Sequence, residues 1–244
     1  MEGVAVTDLL RRAFVRPLAL HWLSNSRSSW RTLISPDSSG SVVVSGPDPD
    51  RILLTGGGIS VGWGMSSHDD ALAGHLARSV SATTGRGVSM DVVTDDILSG
   101  SAELSSHVTR ILRTADAVVI TPGDIDAMLF LPAAIYRRQL ENMLDQMTRT
   151  GPANMRIFIV GTPPLLAAIA LPRAFRPWAE GLGTALNGTA RQLCREMSNT
   201  IFVPFSPNGI AGREGTGRTY SAWARLIAPP IARQLDSCAD RSIR

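Results

Sequence analysis

Four histidines, His21, His68, His75 and His107, are the only imidazoles in the 244 residues, and none follows His107. Nucleophilic catalysis by a serine needs a base within hydrogen-bond reach of its hydroxyl. His68, in Ser66-Ser67-His68-Asp69-Asp70, has both hydroxyls and acids nearby in sequence. Ser60, Ser66 and Ser67 are therefore candidate nucleophiles with His68 as their base. A structural reading competes, with His68 opening a helix beside a capping Asp and Ser60 using its hydroxyl inside a loop. His75 and His107 both fall on helical patterns. Asp124, Asp126 and Glu214 form a second constellation, since neighbouring carboxylates can share a proton, bind a divalent cation or divide acid and base roles. The competing readings are a backbone N–H bond that fixes a loop at Asp126 and a solvated charge at Glu214, between Arg213 and Arg218.

Whole chemistries are missing. All 24 basic residues are Arg, so a Walker lysine, a Schiff base and a lysine general base are excluded. Cys194 and Cys238 have neither metal-like nor Cys-x-x-Cys spacing, and a reduced pair is expected. Neither a metal nor a cofactor is expected.

The sequence Gly56-Gly57-Gly58-Ile59-Ser60-Val61-Gly62-Trp63-Gly64 directly follows an apolar run. Read from Gly56 as a dinucleotide fingerprint, it would place the third glycine at Val61, so that reading fails. What remains is a tight turn with close backbone approach. Such a loop also opens a pocket floor and bares N–H groups for an anionic or carbonyl ligand.

The elements that must position these residues alternate. Apolar runs at Ile52–Thr55, Val88–Val93, Asp116–Thr121, Ile157–Val160 and Thr200–Val203 read as strands. Helical periodicity marks Asp69–Val80, Ala102–Leu112 with Ser101 as cap, Leu131–Thr148, Trp178–Met197 and Tyr220–Leu235. Pro229-Pro230 is expected to interrupt or kink the last of these. The alternation predicts a three-layer α/β/α fold with a five-stranded parallel, flavodoxin-like sheet. Ligands of such sheets bind beyond the strands' C-terminal ends, which directs attention to loops 56–67, 121–128 and 204–218.

Residues 1–50 read as an N-terminal helix and a Ser/Gly/Pro-rich arm, 51–235 as the main domain and 236–244 as a tail, with Val42-Val43-Val44 a short strand within the arm. Val4–Leu23 is amphipathic; packing on the domain is expected, with peripheral membrane contact as the alternative. The chain shows no signal-peptide order, so a cytoplasmic protein is expected. A net charge of +3 without an arginine stripe, and only 5% aromatics, argue against nucleic acid. The 44% apolar content excludes a disordered chain.

The glycine skeleton Gly56–Gly64, with Ser60, Gly62 and Gly64, resembles the first block of the SGNH/GDSL hydrolases, and the resemblance extends from Arg51 to Leu235. Ala115–Ile120 with Gly123 and Asp126 is similar to the family's third block. Val160-Gly161-Thr162-Pro163-Pro164, Leu186-Asn187, Phe202-Val203-Pro204 and Tyr220–Ala224 follow in the family's order. The resemblance implies an ester-hydrolase fold, and it also implies losses. Gly58 stands at the nucleophile's position, Gly57 at the preceding Asp, Ile125 at the oxyanion Asn, Glu214 at the base His and Ala211 at its Asp partner. Ser99-Gly100-Ser101 is the nearest counterpart of the second block. The expectation is a degenerate family member without the acyl-transfer machinery, acting as a binding or interaction module for a small ester or acyl ligand. The alternative is an active esterase or acyl transferase using Ser60 and His68.

Overall fold

The computed structural model describes residues 17–18, 21–22, 34–94, 103–123, 126–127, 129–162, 171–205 and 217–242. Six strands, β1 (Ser39–Val44), β2 (Asp50–Gly56), β3 (Val88–Val93), β4 (Ala117–Thr121), β5 (Arg156–Val160) and β6 (Thr200–Val203), form one sheet in the order β1-β3-β2-β4-β5-β6. The last five are mutually parallel; β1 runs antiparallel to β3. The expected five parallel strands are all present, and among the described residues the strand count is corrected to six. The addition comes from the segment read as a connecting arm. Val42 is 1% exposed on the core face, so its burial selects this register for an otherwise polar stretch.

Helices α1 (Leu72–Thr84), α2 (Ser106–Leu112), α3 (Ala133–Thr150), α4 (Arg176–Glu196) and α5 (Gly217–Ser242) cover the two faces. Alternate side chains of each strand serve alternate cores, because successive Cβ atoms point to opposite sides of the pleat. Leu53, Val118, Ile120, Ile157 and Ile159 pack with Val108, Leu140, Leu144, Leu182 and Leu186 of α2, α3 and α4. Ile52, Leu54, Val119, Phe158 and Val160 pack with Leu72, Leu76, Val80, Ala224, Ile227 and Ile231 of α1 and α5. Strands buried on both faces explain why their sequences are nearly continuous apolar runs.

Two local expectations change. The cap of α2 is Ser105, whose Oγ accepts the Val108 N–H at 3.3 Å; Ser101 lies outside the described residues. Helix α5 runs unbroken through Pro229 and Pro230. The two carbonyls that these prolines cannot serve belong to Arg225 and Leu226, on the exposed side of the helix, where water can satisfy them. Of the N-terminal segment, Leu18 and Trp22 are helical and exposed. No helix among the described residues is long and apolar enough to cross a membrane.

Candidate functional site

Strand order reverses between β2 and β4, and the Gly-rich loop leaves β2 at that point. Gly56 has φ +125°, and a Cβ there would lie 2.6 Å from the Thr121 carbonyl oxygen, so the two strands close onto each other only because no side chain intervenes. The Gly57 N–H donates to the Thr121 carbonyl at 3.1 Å, and Thr121 Oγ1 donates back to the Gly57 carbonyl at 2.7 Å. Gly58, buried and at φ +61°, opens a single 3-10 turn (Gly58–Val61) that ends at left-handed Gly62. At this switch point the loop presents glycine backbone and no side chain from Gly56 to Gly58.

The hydroxyl of Ser60 is turned into this loop and donates to the Gly57 carbonyl at 3.0 Å. His68 is 8% exposed, and its Nε2–H donates to the Asp37 carbonyl at 2.9 Å. Nδ1 is buried without a partner, and the ring lies against Gly40 so closely that a Cβ there would meet Cδ2 at 2.5 Å. His68 thus clasps the segment leading into β1. Ser67 donates to Asp70 Oδ2 at 2.9 Å and accepts the Asp70 N–H at 3.3 Å, closing a turn before α1. Among the described hydrogen bonds, none joins His68 to Ser60 or Ser67. Asp124, Ile125, Ala211 and Glu214, together with Ser99, Gly100 and Ser101, lie outside the described residues.

At the end of β4, Gly123 (φ +91°) donates its N–H to the half-buried Asp126 carboxylate. Removal from water pushes this carboxyl up to about 6, and the Gly123 bond offsets only part of that. Tyr136 of α3 is 4% exposed; burial, and then the charge of Asp126, push its hydroxyl upward. Its hydroxyl lies 3.6 Å from where a Cβ on Gly123 would be. Thr162, just past β5, donates through Oγ1 to the Pro122 carbonyl. Asn187 of α4 holds that residue from both sides, accepting the Thr162 N–H at 2.8 Å and donating to its carbonyl at 2.9 Å. The Gly-rich loop is braced from the other face of the sheet, where Tyr220 of α5 donates to the Trp63 carbonyl at 3.0 Å. Tyr136, Thr162 and Tyr220 were legible in the sequence only as helix and turn residues, because nothing local marks a partner far along the chain. Among the described residues, no group of three or more His, Cys, Asp or Glu could hold a metal ion.

No known protein family and no curated protein matches the chain. Solved structures do. A lipase from goat rumen metagenome superposes with a TM-score of 0.56 at 14% identity, over 75% of this chain and 97% of that one. The SGNH-hydrolase fold is therefore present. Two family two carbohydrate esterases, each 14% identical, agree. The Cellvibrio japonicus protein has a TM-score of 0.53 over 79% of this chain and 63% of its own; the Clostridium thermocellum protein has 0.51 over 80% and 65%. The chain thus spans just under two thirds of those two esterases.

Proposed function

We propose that this protein is an SGNH-hydrolase-like scaffold without acyl-transfer machinery, working in the cytoplasm as a binding or interaction module for a small ester or acyl ligand. The carrying observation is Gly58: buried, at φ +61° and without a side chain at the end of β2. Loss of the nucleophile alone lowers kcat about 10⁶-fold in a serine hydrolase, leaving about 10³–10⁴ over water from the oxyanion hole and binding. Ile125 in place of the oxyanion Asn weakens even that remainder. The imidazole nearest in sequence, His68, is engaged with the Asp37 carbonyl.

A fluorophosphonate probe and p-nitrophenyl acetate or butyrate test this directly. No serine should be labelled, and ester turnover should stay at the background rate. Labelling that maps to Ser60 or Ser66 and disappears in His68→Ala would replace the proposal with the active-esterase reading. Gly58→Ser should likewise remain inactive, because no imidazole is placed to take the new hydroxyl's proton.

A further inference from the structure

The geometry points to a two-fold dimer in which β1 of one chain pairs antiparallel with β1 of a second copy, joining the two sheets edge to edge. The register shows which backbone groups are available. The Thr94 N–H donates to the Ser38 carbonyl at 2.9 Å, and Ser39 pairs with Val93, Val42 with Met90 and Val44 with Val88. Hydrogen-bonded pairs alternate along an antiparallel ladder, so Gly40, Val42 and Val44 bond to β3. Ser39, Ser41 and Val43 therefore direct their N–H and C=O groups away from the sheet. The β2 side agrees, since the opposite parity of β3 is engaged there, through the Gly87 and Val93 carbonyls.

Among the described residues no strand pairs with this edge; an edge of this kind is a template for another strand, and proteins usually guard it with charge, proline or a bulge. β1 reads Ser-Gly-Ser-Val-Val-Val, with none of these, and its Val43 is 71% exposed. The opposite edge differs: β6 has four residues, and the Arg191 guanidinium sits 4.8 Å above its Phe202 ring. The choice of a second copy as occupant follows from the strand itself. Paired about a two-fold axis at Ser41, each Ser39 faces the partner's Val43, and every outward N–H and C=O finds its complement. The strand is uncharged, so two copies meet without like-charge repulsion.

Sedimentation velocity from micromolar to about 100 µM protein tests the arrangement. The full chain should shift from its 26.1 kDa mass to twice that value. Ser41→Asp and Ser41→Arg each place like charges on the two-fold axis, and each should weaken the dimer at least tenfold while the circular dichroism is unchanged. Mixing the two variants should restore it as a heterodimer. A wild-type chain that stays monomeric throughout, as it would if residues 1–33 covered the edge, overturns the proposal. So does undiminished dimerisation of both variants. Ester turnover and probe labelling play no part in this result, which is independent of the catalytic reading.

Discussion

The backbone of Gly58 bears on any attempt to place a hydroxyl there. Its φ of +61° is open to glycine, whereas an L side chain there costs roughly 1–2 kcal/mol. Gly58→Ser should therefore lower stability by about that amount in urea denaturation, quite apart from showing no esterase activity. Asp126 shows the opposite kind of tension, a carboxylate held by one backbone N–H in a half-buried place. Its folded carboxyl titrates at about 6 against an unfolded 3.8, so between these values the native state binds more protons than the unfolded state. Its contribution to stability is fully present below about pH 4, is lost as pH rises to about 6, and is constant above that. Allowing for partial exposure, the loss is about 1–2 kcal/mol. Asp126→Asn should accordingly be more stable than wild type by that amount at pH 7.5 and equal to it near pH 3.5. Wild type being the more stable protein at pH 7.5 would make the carboxylate a net stabiliser.

At the scale of elements, the end of the sheet away from the Gly-rich loop is tied by Arg86, in the turn between α1 and β3. Its Nε donates to both Asp50 oxygens, at 3.2 and 3.1 Å, and Nη1 donates to Asp236 of α5 at 2.8 Å. One side chain thus joins the start of β2 to the final helix. Burial above all, with the charges of Asp116 and Asp236, holds the Asp50 carboxyl above its ordinary range despite the Arg86 guanidinium, so the buried carboxylate depends on that cation. Arg86→Ala should cost about 3 kcal/mol, chiefly by leaving Asp50 buried without a cation, and the urea midpoint would register it. A change below about 0.5 kcal/mol would mean that water replaces the guanidinium without penalty.

For the whole molecule, the sheet extends across Arg51 to take in Asp50 and β1. β1 forms one edge of the sheet among the described residues, buries Val42 in the core on the α1 side, and receives the His68 ring against Gly40. A chain beginning at Arg51 loses that strand together with Asp50, the partner of Arg86. It also bares the β3 edge at Val88, Met90 and Val92. Relative to a chain beginning at Ile34, it should be at least about 2 kcal/mol less stable and prone to aggregate. Equal thermal midpoints for the two would show that β1 is an ornament of the fold.

Val88–Val93 and Thr200–Val203 were legible from their own residues with the bounds observed, because each is a short, mainly apolar run rich in β-branched or aromatic residues. The glycine pattern after Ile52–Thr55 likewise announced a tight turn with close backbone approach, found at Gly56 against Thr121. Composition read residues 39–44 as part of an arm, since five of the six face away from the core or only partly into it. Their place in the sheet was decided by β3, some fifty residues on. The same holds for the attachment of His68 to Asp37, the burial of Asp126 beside Tyr136, and the grip of Arg86 on Asp236. Periodicity and turn chemistry act within a few residues and can be read locally. Which donor meets which acceptor, and which carboxylate loses its water, depends on chain segments brought together only when the sheet closes.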